Sequence, residues 1–277
     1  MFRIEDCKIR LAEERDRPDL VEIASKTWGG HDYLPEILDR WINEDWFFVC
    51  TYLGKVISCI KLSRFPNNVL WIEGLRVHPR YRGKSVAGLM NRALFDFARK
   101  LGRENPKLAF ECCIYFANVQ SSHLTCRYGF QKVDGFFNLE RRGVIKTQKP
   151  EEITDFGMEI FEHYSSHLAL NWHAVQNTEE SLAFIREHAR LYRSPNLFFL
   201  IGNSGDLNLT LLCPPTAPLR EDLPYLQYFF GPRKNICVVM GRGMTQYLQI
   251  MEQNNFRFWD DLQKGHQNML VLRRPIA

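Results

Sequence analysis

Apolar residues recur at Val86, Leu89, Met90, Ala93, Leu94, Phe97, Ala98 and Leu101, the rhythm of one helical face, and Gly102 supplies a C-terminal stop. Around this helix the pattern is mostly that of strands. Residues 9–12 form a short strand, followed by a helix that Asp16 could cap and that turns Leu20, Ile23 and Ala24 inward. Residues 46–53 and 56–65 are rich in β-branched and aromatic side chains and flank Gly54-Lys55, the form of a tight hairpin. Pro66-Asn67-Asn68 makes the next turn, and residues 69–77 give a further strand. Gly74 lies inside that strand, where a glycine marks a bulge or a close backbone approach. Residues 107–114 then read as a buried strand, 118–128 as a short helix ended by Gly129, and 130–133 and 136–140 as closing sheet.

A polar stretch, residues 143–152, contains Lys149-Pro150 and separates two differently patterned halves. The expected organisation is a first domain over 1–142, a linker over 143–152 and a second α/β domain over 153–277. In the second half, helices are expected near 153–164 and 179–192, before a hairpin of 197–201 and 207–213 turned by Gly202-Asn203-Ser204-Gly205. Residues 234–259 repeat the strand, helix, strand order of 107–133, a degenerate internal echo. The echo has no equivalent of the segment 82–87, which puts its ligand-binding competence in doubt.

Composition narrows the function classes. With 277 residues, 45% hydrophobic, 25% charged and a formal charge of +4, the chain is an ordinary folded protein rather than a disordered or fibrous one. So small a charge excess argues against wholesale nucleic-acid binding and favours a small-molecule partner. The eight cysteines lie in apolar segments without a C-x-x-C pair and read as reduced thiols. Residues 1–6 lack a hydrophobic signal core, and no apolar run approaches the ~20 residues needed to span a bilayer. A cytoplasmic protein with no membrane partner is expected.

The chemistry gathers at Leu75-Arg76-Val77-His78-Pro79-Arg80-Tyr81-Arg82-Gly83-Lys84-Ser85-Val86-Ala87, a basic loop joining a strand to the long helix. A helix start presents unpaired N–H groups and a positive dipole end, so the loop suits a pyrophosphate, with Arg80, Arg82 and Lys84 adding charge. The spacing matches neither a Walker loop nor the dinucleotide G-x-G-x-x-G fingerprint. A solvated basic turn is the bland alternative.

At these residues the sequence resembles the GNAT superfamily of acyl-CoA-dependent N-acyltransferases. The family's pyrophosphate motif has Gln or Arg, then Gly three positions on, then Gly or Ala two beyond, and the match here is Arg82, Ser85 and Ala87. Serine replaces the usual glycine, so a Cβ and hydroxyl stand where backbone should approach phosphate. The preceding Leu75-x-Val77-x-Pro79 and the later Asn118-x-x-Ser121-x-x-Leu124 followed by Gly129-Phe130 also fit, over roughly residues 3–142. The stretch from Glu73 to Leu89 looks particularly like the branch containing histidine N-acetyltransferases. The resemblance implies a GNAT acyl-CoA-binding fold, an α/β (α+β) architecture with a central mixed, mostly antiparallel sheet whose fourth and fifth strands splay apart, plus a second, smaller degenerate GNAT-like half. It implies acetyl-CoA as co-substrate and no metal. Leu75, Arg76 and Val77 would meet pantetheine, the amides of Gly83, Lys84, Ser85, Val86 and Ala87 with Arg82 the pyrophosphate, and Asn118 the thiol arm.

Acetyl transfer needs a neutral amine, a base and a stabilised oxyanion. Glu73 is the base candidate, sharing one strand face with Leu75 and Val77, although a carboxylate beside Arg76 or Arg82 is equally a structural ion pair. Glu111 is the second candidate. Many GNAT enzymes carry a Tyr where this chain has Thr125, so the leaving thiolate would be protonated by Thr125, Ser121, Ser122, Tyr128 or water, or leave unprotonated. His163 and His167 stand four apart, as on one helical face, without the glutamate or third ligand of a metal site. Trp28-Gly29-Gly30-His31-Asp32-Tyr33 lies where GNAT enzymes shape the acceptor site, and Arg64 or Arg76 could clamp an acceptor carboxylate. The expected function is direct transfer from acetyl-CoA to a primary amine of a small molecule, an amino acid above all. A non-catalytic acyl-CoA-binding sensor is the alternative, and a homodimer stays open.

Overall fold

Strand β1 (Lys8–Leu11) runs antiparallel to a strand that arrives only after two helices, α1 (Arg17–Ser25) and α2 (Leu34–Asn43). Then follow β2 (Phe47–Tyr52), β3 (Lys55–Phe65), β4 (Val69–Val77), α3 (Val86–Glu104), β5 (Ala109–Tyr115), α4 (Val119–Arg127) and β6 (Gln131–Arg141). The later elements are β7 (Glu151–Ile153), β8 (His167–Leu170), β9 (His173–Gln176), α5 (Glu179–His188), β10 (Ala189–Arg193), β11 (Phe198–Gly202) and β12 (Leu209–Leu211). They end with α6 (Leu219–Gln227), β13 (Ile236–Met240), α7 (Leu248–Gln253), β14 (Phe256–Phe258) and β15 (Met269–Pro275). The structure is a computed structural model that describes residues 2–143, 146–203, 207–215, 219–231, 234–258 and 266–276. Its contacts divide the chain into one unit of residues 1–112 with 273–277 and a second of 113–272. That division falls upstream of the expected linker, part of which, residues 144–145, lies outside the described residues.

In the first unit β1, β2, β3 and β4 pair antiparallel in order, and β4 pairs parallel with β5, with α3 as the crossover. The helices bury Leu20, Ile23, Ala24, Leu34, Leu38 and Trp41 against Phe47, Val49, Val56 and Cys59 of the sheet. Helix α2 is an element that the sequence reading above does not include. Its signal is present in Leu34, Ile37, Leu38, Trp41 and Ile42, a clear helical stripe behind Pro35. The β2–β3 turn is Leu53-Gly54, with both residues at positive φ (49° and 78°), one position before the expected pair. Gly102 does not stop α3, which runs to Glu104; there a Cβ would stand 3.0 Å from the Ile276 side chain.

The second unit repeats this order. Strands β7, β10, β11 and β12 pair antiparallel in turn, and β12 pairs parallel with β13 across the helix α6. The expected echo is therefore a whole sheet, wider than the strand-helix-strand segment read from sequence, of which Trp259 lies outside the described residues. The two stretches expected as strands over 130–133 and 136–140 are one strand, β6 (Gln131–Arg141), which pairs antiparallel with β13 and β14. The helix expected over 153–164 is instead the end of β7 and a 3-10 turn, Met158–Phe161, and the one over 179–192 stops at His188, where β10 begins. His167 consequently sits in a strand, so it shares no helical face with His163. The expected hairpin is β11 with β12, and Ser204 and Gly205 of its turn lie outside the described residues.

Candidate functional site

Pairing between β4 and β5 covers Val69↔Ala109, Leu70↔Phe110 and Trp71↔Glu111, while β4 continues to Val77. Among the described residues the two strands therefore part after Trp71, the splay that the resemblance implies. On its other side β4 stays paired with β3, except where the register shifts between Cys59 and Lys61. Opposite that shift stands Gly74 at φ +72°, and a Cβ there would lie 2.5 Å from the buried Trp41 ring. Only glycine meets both demands, so the sequence fixes a bulge at this point.

The bulge reorders the faces of β4. Glu73 opposes Lys61 and Arg76 opposes Cys59, so Glu73 and Arg76 share one face, and Leu75 and Val77 take the other. The expected common face of Glu73, Leu75 and Val77 is thereby corrected: simple alternation does not survive an inserted residue. On its face Glu73 accepts a hydrogen bond from Ser63 Oγ at 3.1 Å. Lys61, 2% exposed, lies on that face too; burial pushes its ammonium below the ordinary lysine range, opposed by Glu44 at 3.3 Å.

Arg76 is buried and forms a two-pronged pair with Asp32, Nε to Oδ2 at 3.0 Å and Nη2 to Oδ1 at 2.9 Å. Its guanidinium carbon lies 4.9 Å from the Trp28 ring centre and 4.8 Å from that of Tyr33. Burial alone would lower its pKa, but Tyr33 and Asp32 more than offset this and hold it above the ordinary arginine value. Its side chain is thus engaged by Asp32 through Nε and Nη2, while its backbone lies on β4. Arg64, the other clamp candidate, is exposed and stacks over Trp46 at 4.4 Å. Sequence reasoning singled out the 28–33 segment but missed this pair.

Beyond β4 a short 3-10 turn, Pro79–Tyr81, leads into the basic loop. His78 Nδ1 accepts from the Arg80 amide at 3.2 Å, and its Nε2 lies 3.0 Å from Lys26 Nζ and 3.5 Å from Glu22 Oε1. Arg82 Nε donates to the Val77 carbonyl at 3.1 Å. Gly83 sits at φ +72° with open space where a Cβ would project. Ser85, the N-cap of α3, is itself left-handed at φ 62°, and its side chain makes no capping hydrogen bond. Arg82, Gly83, Lys84 and Ser85 are exposed, Val86 is buried and Ala87 is half-buried, and no acidic residue occupies the first turn of α3. A 19-residue helix with an uncapped start behind cationic side chains presents unpaired N–H groups and positive charge together, an arrangement suited to phosphate. Lys84 Nζ lies 5.4 Å from the Phe2 ring centre and 5.5 Å from that of Tyr81.

Glu111 is fully buried with Oε1 2.5 Å from Arg273 Nη1. That ion pair ties the C-terminal residues to β5 and engages one oxygen of the second base candidate. Cys59 and Cys112 are buried, and burial pushes both thiols up to about 12, far from the thiolate that covalent catalysis requires. In the second unit, Asn118 caps α4, its Oδ1 accepting from the Ser121 amide at 3.0 Å. Thr125 Oγ1 donates back to the Ser121 and Ser122 carbonyls at 2.9 and 3.1 Å. Its hydroxyl proton is committed to the helix. Among the described residues no cluster of His, Cys, Asp or Glu could hold a metal, and no helix is long and apolar enough to cross a membrane.

The parted fourth and fifth strands, the bulge and the cationic helix start are together the geometry that the resemblance to the GNAT superfamily implies. Residues 17–130 match the model of the acetyltransferase (GNAT) family. Its sequence is 34% identical over 85 residues to a histidine N-acetyltransferase of Scomber australasicus and 36% identical over 85 residues to one of Xenopus tropicalis. Each match covers 30% of this chain and about a quarter of the relative (25% and 26%). The GCN5-related N-acetyltransferase of Sphaerobacter thermophilus superposes with a TM-score of 0.60 at 12% identity, over 98% of this chain and 96% of that one. A candidate acetyltransferase of Thermoplasma acidophilum gives 0.62 at 14% identity, over 97% and 99%. These likenesses show the fold, and they extend over both halves.

Proposed function

We propose that the protein transfers the acetyl group of acetyl-CoA to a primary amine of a small molecule, an amino acid or close analogue, by direct attack. The observation that carries the reading is the uncapped, cationic start of α3 directly after a strand that has parted from its neighbour. Arg82, Lys84 and the amides of residues 83–87 would hold the diphosphate, and the backbone of Leu75 and Val77 the pantetheine arm. Likeness to histidine N-acetyltransferases supports the amino-acid class.

In the proposed reaction Glu73, directly or through water, takes a proton from the acceptor ammonium. The neutral nitrogen attacks the thioester carbonyl carbon; a C–N bond forms, the C–S bond breaks, the sulfur leaves as a thiolate, and the proton that the nitrogen sheds on becoming an amide is relayed to that sulfur. Water or Ser121, rather than Thr125, relays that proton from nitrogen to sulfur, given the bonds that hold the Thr125 hydroxyl. The high thiol pKa values of Cys59 and Cys112 favour this route over an acyl-cysteine intermediate.

The test is mass-spectrometric detection of CoA and N-acetylated product over a panel of amino acids and polyamines. Matched amounts of both products are expected for at least one acceptor. Binding of acetyl-CoA with no product from any amine would instead support the acyl-CoA sensor.

A further inference from the structure

We propose that Asp32 and Arg76 form a positioning pair that holds residues 28–33 as one wall of the acceptor pocket, with the exposed Trp28 ring as the surface on which the acceptor's body rests. The inference rests on the acetyl-transfer reading and names residues for it.

Residues 28–30 are costly to hold in place. Trp28, Gly29 and Gly30 all have positive φ, at 47°, 67° and 90°, a run that nothing in local propensity favours for a tryptophan. Trp28 is also 58% exposed, so its own burial does not anchor it. What anchors it is the buried guanidinium of Arg76, which faces both Trp28 and Tyr33 and is fixed by both oxygens of Asp32. Asp32 Oδ1 accepts in addition from the Leu34 amide at 3.0 Å, which starts α2. One carboxylate thus joins the segment, the helix and the strand. Helix α2 in turn carries Trp41 onto the Gly74 bulge, the feature that puts Glu73 and Arg76 on one face. The pair connects the candidate base to the segment at the proposed acceptor wall without touching the cationic loop of α3.

Such an arrangement separates acceptor binding from cofactor binding. The bidentate pair engages Nε and Nη2 of Arg76, so the charge that would attract a second carboxylate is already met by Asp32. The acceptor is therefore held by an aromatic face and the Glu73 carboxylate, a combination suited to an ammonium on a flat or apolar body.

The experiment compares wild type, Asp32→Asn, Asp32→Glu and Trp28→Leu by steady-state kinetics, acetyl-CoA calorimetry and amide hydrogen exchange. Asp32→Asn and Trp28→Leu should each raise the amine KM about tenfold, with kcat and acetyl-CoA affinity within about twofold of wild type. Exchange over residues 27–34 should speed up in Asp32→Asn while that of β3 and α3 stays unchanged, and Asp32→Glu should recover part of both effects. Unchanged KM and exchange in Asp32→Asn, or faster exchange throughout the first unit, would overturn the proposal. If wild type acetylates no amine, the acetyl-transfer reading fails, and exchange confined to residues 27–34 still decides whether the pair holds the segment.

Discussion

Ser85 occupies a left-handed conformation that a non-glycine residue holds at a cost of roughly 1–2 kcal/mol, and its hydroxyl does not offset this by capping α3. The glycine usual in the family is explained by that φ as much as by closeness to phosphate. Ser85→Gly should leave the melting temperature equal or higher and tighten acetyl-CoA binding, while Ser85→Val should weaken both, read by thermal melting and calorimetry. Gly74 is the stricter position: an alanine meets the Trp41 ring and a positive φ together, and should cost about 2–4 kcal/mol in denaturant unfolding. For Glu73→Gln, turnover should fall about 100-fold with acetyl-CoA affinity unchanged; an unaltered rate would remove Glu73 as the base. The loop from Arg82 to Ala87 was legible in the sequence because its signal is contiguous. The Asp32–Arg76 pair was not, since its partners stand 44 positions apart and only the fold brings them together.

At the level of elements, strand β4 and helix α3 were readable from periodicity, whereas the facing of β4 was not. A bulge shifts every later side chain to the opposite face, and a glycine signals its place without giving its register. Helix α2 shows the converse, a plain helical stripe obscured by its tryptophan. The turn before α3 rests on His78, whose pKa is lowered by burial and then by Lys26, against the opposing pull of Glu22, with Arg80 adding repulsion. The folded state therefore favours the neutral ring. Its contribution to stability is present above the unperturbed value of 6.5 and is lost as pH falls below it. The urea midpoint of wild type should drop more between pH 7.5 and 5.5 than that of His78→Gln; equal drops would show that the ring is not held neutral.

Across the whole molecule, the same strand order appears twice, but the two crossovers differ in chemistry. The first, between β4 and α3, offers Arg82, Gly83, Lys84 and Ser85; the second, between β12 and α6, contains Pro214, Pro215 and Pro218. Proline has no N–H to donate and the segment 212–218 has no cation, so this segment of the sequence lacks the donors and charge that residues 82–85 offer. The echo was visible in sequence where strand, helix and strand follow closely and in the β11–β12 hairpin; the pairing of β7 and β10 with that hairpin depends on contacts that no local pattern records. The C-terminal residues return to the first unit, where Arg273 neutralises the buried Glu111. Arg273→Ala should therefore lower stability by about 3–5 kcal/mol in denaturant unfolding, since it strands a buried carboxylate. The most direct measurement is a calorimetric titration of the full chain with acetyl-CoA at two salt concentrations. One molar equivalent should bind, more weakly at higher salt and far more weakly in Arg82→Ala/Lys84→Ala; no heat, or an affinity indifferent to the loss of both cations, would contradict the account.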